Sequence, residues 1–241
     1  MISKIAIHSC PRSGSTFLGE IINSSLTTKY CFQPLFSYEL KDYLNENSSL
    51  VKINTFFDKL LTTKDVFINQ TDQRKNGYLP TFKKEAQFTS IAYKEVRYHY
   101  ILQNLAEKDS NVKFIFLIRN PVDIINSWVS VEKEFSPAWK ISEEIIYANK
   151  KNMGKKENFF GVERWIKSTQ IFERLRDKYS KRILLLNYRD LKNNCFETTK
   201  KIFEFCKLPY TKQTENFLVR STKTRYIKNK YSVFRGREYK S

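Results

Sequence analysis

The chain has 241 residues, 43 Lys+Arg against 25 Asp+Glu (formal net charge +18 at pH 7), and 41% apolar and 15% aromatic residues. That length and apolar content can build a core without disulfides or a structural metal, which excludes a disordered chain. Six Gly, six Pro and no visible repeat exclude collagen-like and coiled-coil readings. The basic excess calls for an anionic partner: nucleic acid, a membrane surface, or a small phosphate-rich ligand.

The four cysteines, Cys10, Cys31, Cys195 and Cys206, form no CxxC pair, and His8 has no second ligand pair to join it and Cys10. Neither a zinc site nor a disulfide framework is expected, and scattered thiols suit a reducing compartment. No apolar run approaches the roughly 18 residues a membrane-spanning helix needs. The apolar run at 5–7 is too short for a secretory signal, so a cytoplasmic protein is expected.

In chain order, residues 4–9 form a short apolar run closed by Cys10-Pro11-Arg12-Ser13-Gly14-Ser15-Thr16. This predicts a buried strand, a turn, and a helix over 16–25 with Phe17, Leu18, Ile21 and Ile22 on its apolar face. The next stretch is less regular. Helical spacing over 38–61 is broken at 45–49, 64–69 reads as a strand, and 70–77 is polar and loop-like. An insert or lid around 36–88 is expected.

Regular patterning returns with a strand over 90–96 and a helix over 98–107. Val112–Ile118 is the clearest strand, and Arg119-Asn120-Pro121 follows it, with Pro121 suited to a first helical turn. That helix is predicted to turn Val122, Ile125 and Val129 inward, with Trp128 alongside. Residues 132–157 read as charged and exposed. A helix over 160–179 has Trp165, Ile166, Ile171, Phe172 and Leu175 as its core stripe. A strand over 182–186 and a helix over 197–206 follow.

Strands alternating with helices imply an α/β fold: a central parallel sheet in a three-layer α/β/α sandwich. One domain over 1–241 is expected, carrying the insert and a basic C-terminal segment over 220–241. Ligands in such sheets bind beyond the carboxyl ends of the strands. Three strands here end in polar or basic residues: Arg12-Ser13-Gly14, Lys94 and Arg119.

The turn at 11–16 offers backbone N–H groups and a helix N-terminus to an anion, and Gly14 permits close approach. Arg12 adds a planar fork of donors. The alternative is an ordinary tight turn before a capped helix. The turn lacks the G-x-x-x-x-G-K-[ST] frame, and no strand ends in a carboxylate placed to hold Mg²⁺, so a metal-dependent nucleotide kinase is not indicated. Arg119, with Ser127 two helical turns on, forms a second candidate anion pocket; alternatively Arg119 pairs with Asp123. Two pockets on neighbouring strands suit a ligand with phosphates at both ends.

Cys-Pro-Arg-Ser-Gly-Ser-Thr-Phe-Leu at 10–18 resembles the 5′-phosphosulfate loop of sulfotransferases. Phe-Leu-Ile-Arg-Asn-Pro-Val-Asp at 116–123, with Ser127, resembles their 3′-phosphate motif. Leu-Leu-Leu-Asn-Tyr-Arg-Asp-Leu at 184–191 is similar to the family's Tyr-Glu-Asp-Leu segment, and the loop arginine is closest in flavour to the carbohydrate and tyrosylprotein branch. The resemblance spans most of the chain apart from 40–88 and 132–158. It implies a P-loop-like fold and a co-substrate, 3′-phosphoadenylyl sulfate (PAPS), with no metal. On the same basis Arg12, Ser13, Gly14, Ser15 and Thr16 would bind the 5′-phosphate and sulfate, and Arg119 and Ser127 the 3′-phosphate. Tyr188 would lie by the adenine or ribose, or else be a core tyrosine. Lys94 would neutralise the transferring sulfuryl group, or else be a solvated lysine beside Glu95. Ser221 and Thr222 fall in a segment resembling one that closes over the cofactor.

One position departs from the pattern. Where relatives place a glutamate thought to deprotonate the acceptor, this chain has Gln33, and an amide is not a general base. Candidate substitutes are Glu39, Asp42 and His99, the last titrating near neutrality. The implied activity is sulfuryl transfer to an acceptor hydroxyl, on a carbohydrate or glycoconjugate. The alternatives are a PAPS-binding protein with little catalysis, or a basic nucleic-acid-binding protein, which is disfavoured because no recognised binding motif is present. Residues 220–241 hold eight basic residues and one acid, so an anionic glycan or glycolipid acceptor would account for charge that the nucleotide donor does not need.

Overall fold

The structure, a computed structural model, describes residues 2–223. Five strands, β1 (Ser3–Ser9), β2 (Thr28–Phe32), β3 (Ser90–Glu95), β4 (Val112–Ile118) and β5 (Ile183–Asn187), form one sheet in the order β2-β3-β1-β4-β5. Every pairing is parallel. The chain leaves β1 on one side for β2 and β3, then crosses to β4 and β5 on the other. This puts the reversal of strand order, where such sheets open a crevice, at the carboxyl ends of β1 and β4.

Alternating side chains divide the core into two layers. Ala6, Ile91, Tyr93, Phe114 and Phe116 join a cluster with Phe56 and Phe57 of the helix Leu50–Thr62 and Phe172 and Leu175 of the helix Val162–Lys178. Ile5, Ile7, Ala92, Ile115 and Leu117 join the opposite cluster with Leu18, Ile21 and Ile22 of the helix Ser15–Asn23 and Ile202 and Phe203 of the helix Cys195–Cys206. Each fully buried Ile, Leu or Phe side chain among these contributes about 1.5–3 kcal/mol relative to its exposed state. The result is the expected α/β/α sandwich.

β2, Thr-Lys-Tyr-Cys-Phe, is a five-residue edge strand in a stretch that the sequence pattern leaves unassigned. Four local expectations are corrected. Residues 64–69 are not a strand. Asp65 accepts a hydrogen bond from the Ile68 amide at 2.7 Å and starts the helical turn Val66–Asn69, so the local capping bond overrides the β-branched composition. In the helix Pro121–Val129, Val122 is 64% exposed, and the buried positions are Ile124 and Trp128, one turn apart. Ile166 is likewise exposed on its helix. Finally, residues 132–157 are not simply a solvated face, because Phe135 and Ala148 pack with Trp128 and Phe160 in a small third cluster.

The segment 36–88 packs into the main core through Ile53, Phe56, Phe57 and Leu60. It is also tied to the first helix by a bidentate pair: Arg74 Nη2 and Nη1 lie 2.8 and 3.0 Å from the two carboxylate oxygens of fully buried Glu20. The helix Lys212–Lys223 closes the same face, where Ser24 Oγ donates to Thr214 Oγ1 at 2.9 Å. Among the described residues no helix is long and apolar enough to cross a membrane.

Candidate functional site

The loop after β1 is built around two residues in the left-handed region, Arg12 at φ 68° and Gly14 at φ 87°. They flank Ser13, whose buried hydroxyl has no hydrogen-bond partner among the described residues. The helix Ser15–Asn23 begins without a side-chain cap. Its first amides therefore face the loop's concavity with the positive end of the helix dipole behind them. A left-handed residue next to a helix start lines up backbone N–H groups as an anion-binding nest.

A second motif meets this loop. Asn120 caps the helix Pro121–Val129, accepting from the Val122 amide at 2.9 Å. That cap ends β4 so that Arg119 points across to β1, and Arg119 Nη1 donates to the Arg12 carbonyl at 3.0 Å. Arg12 Nε in turn donates to Ser127 Oγ at 3.3 Å. The competing pairing of Arg119 with Asp123 is present too, at 3.7 Å, and does not displace the tie to Arg12. The third motif comes from β5, where Asn187 caps the short helix Tyr188–Asn193. Tyr188 lies under the Arg119 guanidinium, 4.6 Å from ring centre to Cζ, and its ring occupies the space a Cβ on Gly14 would take. Three segments far apart in sequence thus meet at the sheet's switch point.

Lys94 is buried near the end of β3, opposite Phe32 and Ile7, with Nζ 4.3 Å from the Phe32 ring centre. Burial lowers its pKa well below the ordinary lysine value. Glu95 and Glu134 oppose that shift, and the cations Arg97 and Arg12 add to it. Alternation sends Glu95 to the other face, where burial raises its carboxyl despite a 2.8 Å bond from the Leu35 amide. Gln33 sits in the left-handed region at φ 41°, its N–H bonded to the Lys94 carbonyl at 2.8 Å. Its side-chain oxygen accepts from Arg97 Nη1 at 3.3 Å, and the Arg97 guanidinium lies 3.9 Å over the Phe36 ring.

The substitutes for a missing base do not join this cluster. His99 is fully buried against Phe159 and Phe172, with its Nδ1 3.1 Å from that of His8. Burial lowers its pKa to about 3. Because His8 is in register with Glu95, this pair lies on the face opposite Lys94. Glu39 is exposed and accepts from Thr63 Oγ1, and Asp42 accepts from the Tyr98 hydroxyl at 2.8 Å.

Ser221 and Thr222 belong to the helix Lys212–Lys223, and their hydroxyls bond back to the Phe217 and Leu218 carbonyls. Ser221 lines a cavity of about 580 Å³ with Tyr78, Phe82, Phe217 and Arg220. Phe217 of this lining also packs against Phe17 of the helix Ser15–Asn23, with the ring centres 6.0 Å apart. The rest of the basic segment, 224–241, lies outside the described residues. Among the described residues no group of three His, Cys, Asp or Glu could hold a metal.

Two residues of the site escaped sequence reasoning. Arg97 carried a signal, a cation just beyond a strand that ends in Lys94. Glu134 carried none, because it lies in a segment that reads as solvated surface. It approaches Arg12 with Oε2 3.9 Å from Nη1.

The sulfotransferase domain family matches residues 3–240, and the chain belongs to that family. Solved structures with the same fold include mouse sulfotransferase SULT7A1 complexed with PAP, at 15% identity and TM-score 0.52, covering 91% of this chain and 63% of that one. The sulfotransferase domain from the curacin biosynthetic pathway has 16% identity and TM-score 0.53, covering 97% and 82%. A sulfotransferase from Alicyclobacillus acidocaldarius has 9% identity and TM-score 0.53, covering 92% of each chain. At these identities the likeness concerns the fold, and this chain spans under two thirds of the mouse protein's length. No curated protein matches the chain.

Proposed function

We propose that this chain transfers the sulfuryl group of PAPS to an acceptor hydroxyl on a carbohydrate or glycoconjugate, acting as a single domain in the cytoplasm. The observation that carries the reading is the linkage Arg119–Arg12–Ser127, which draws two anion-binding motifs together at the switch point of the sheet. The site's own features fit a nucleotide with phosphates at both ends: the unpartnered buried Ser13 hydroxyl, the uncapped helix start, and the Gly14 position where only a missing Cβ leaves room for Tyr188. The mouse relative was solved with PAP, which supports the same donor here. The four cysteines are buried and form no disulfide, consistent with a reducing compartment.

In this reading Arg12, Ser13 and the amides of 14–16 hold the 5′-phosphosulfate, and Arg119 and Ser127 hold the 3′-phosphate. Bound PAPS supplies an activated sulfuryl group. Arg12 and Lys94 stabilise the charge that builds on the oxygen left behind, a role in which losing one donor typically costs about 10²–10³ in rate. Fixing the donor between two rigid strand ends supplies the orientation that a loose, in-line transfer depends on. Lys94, Arg97 and Lys151 act on one another or on Glu134 electrostatically, and this cationic surround favours an anionic acceptor.

The test is transfer from ³⁵S-labelled PAPS to a panel of acidic saccharides, glycolipids, tyrosine peptides and phenols. Label should move to a saccharide or glycolipid and be abolished by Arg12→Ala. Absence of transfer to every class would leave the alternative of a PAPS-binding protein with little catalysis, which the engagement of the Gln33 amide by Arg97 favours.

A further inference from the structure

Sulfuryl transfer to a neutral hydroxyl releases a proton, and Gln33 cannot take it. Glu95 lies on the wrong face, and Glu39, Asp42 and His99 are held elsewhere. Glu134 is a carboxylate that faces Arg12 and acts electrostatically on Lys94. Its Oε2 is 3.9 Å from Arg12 Nη1, and its charge acts on Lys94 and Arg97. That oxygen is buried and accepts no hydrogen bond among the described residues, although a third of the side chain is exposed.

Its position is built rather than incidental. The Glu134 carbonyl accepts from buried Trp128 Nε1 at 3.2 Å. The amides of Glu134 and Phe135 both bond to the Val131 carbonyl at 2.8 Å, and the Phe135 ring packs edge-on against Trp128. The helix that carries Ser127 therefore also fixes the turn that presents Glu134 beside Arg12.

Resting on the sulfotransferase reading, we infer that Glu134 is the general base for the acceptor hydroxyl, the role that Gln33 leaves unfilled. The acceptor O–H bond breaks and its proton passes to the Glu134 carboxylate, while the oxygen's electron pair forms the new bond to sulfur. The bond from sulfur to the donor's phosphate oxygen breaks, and its electrons leave on adenosine 3′,5′-bisphosphate (PAP). The exposed part of the Glu134 side chain then returns the proton to solvent.

The experiment compares wild type, Glu134→Gln, Glu134→Ala and Arg12→Ala on the best acceptor from the panel, with PAP affinity measured by calorimetry. Both Glu134 variants keep the backbone carbonyl that Trp128 uses. Their kcat should fall about 10²–10⁴-fold. PAP should bind as tightly as to wild type or up to about fivefold tighter, since an acid worth at most about 1 kcal/mol to Arg12 has been removed. Formate should restore at least tenfold of the Glu134→Ala loss and none of the Arg12→Ala loss. An active Glu134→Gln enzyme overturns the inference and leaves the sulfotransferase reading standing. Weakened PAP binding with no formate rescue marks a positioning partner of Arg12 and also overturns it. A wild type that moves no sulfate to any acceptor removes both readings.

Discussion

Replacing Gly14 with alanine tests the join between the anion loop and the segment after β5. Gly14 sits at φ 87°, ψ 13°, where an L-residue costs about 1–2 kcal/mol. A Cβ there would stand 2.4 Å from Tyr188 Cε2 and 2.7 Å from Cδ2, well inside the ~3.5–4.0 Å of ordinary carbon contact. The loop is held from behind by Arg119, so the ring is what must move, and it gives up a cation–π contact with Arg119 worth about 0.5–2 kcal/mol. The combined effect is roughly 2–4 kcal/mol, divided between thermal stability and donor affinity. Calorimetric titration with PAP and thermal unfolding measure the two shares. Tyr188→Ala removes the clash but leaves the backbone strain, so the double variant should lose less than the sum of the two singles. Wild-type PAP affinity and Tm in Gly14→Ala, or strict additivity in the double, would refute the placement of Tyr188 against the loop.

Four further outcomes follow from the same geometry. Arg119→Lys keeps the charge but loses the planar donor to the Arg12 carbonyl and the stacking on Tyr188. PAP should bind about 10- to 100-fold more weakly by calorimetry, as expected for hydrogen bonds from a charged group, and unchanged affinity would contradict the linkage. Lys94 has its pKa lowered by burial, so an anionic donor binds its protonated form and draws in a proton. PAP affinity should then fall as pH rises from neutrality toward the ordinary lysine range, by at most about tenfold per unit, and Lys94→Met should flatten that slope. Glu20→Gln breaks a buried bidentate pair, for which removal of one partner costs about 3–5 kcal/mol. With roughly 2–4 °C per kcal/mol at this chain length, the melting temperature should drop by about 6–20 °C, and Glu20→Met with Arg74→Met should recover most of it. His99→Phe should keep the PAPS-dependent transfer rate per folded molecule, because that ring faces the core below the sheet; a hundredfold loss with intact PAP binding would contradict its placement.

The parts of the fold whose physics is local are legible in the chain alone. The run Val112–Ile118 has the boundaries of β4, because a central parallel strand is apolar on both faces and is punctuated by Asn120 and Pro121. The loop over 10–16 stands out as a candidate anion site for a similar reason, since glycine and hydroxyl residues between a strand and a helix can present backbone amides to a ligand. The class of ligand followed from two such motifs. Whatever depends on which face a residue takes and which neighbour it meets is set by packing. β2 is too short to stand out although Thr28, Tyr30 and Phe32 favour strands, and its pairing with β3 completes it. His99, an attractive base on paper, lies in the turn after β3, where His8, Phe159 and Phe172 hold its ring on the face opposite Lys94. Glu39 and Asp42 are close in sequence to the departing Gln33 but are drawn off by Thr63 and Tyr98. Glu134 and Arg97 reach the site because Trp128 and Phe36, respectively, hold them there. The net charge of +18 set the sign of the partner. The packing of those side chains selected which charges stand where the chemistry is proposed to occur, because long-range contacts leave no periodic trace in the chain.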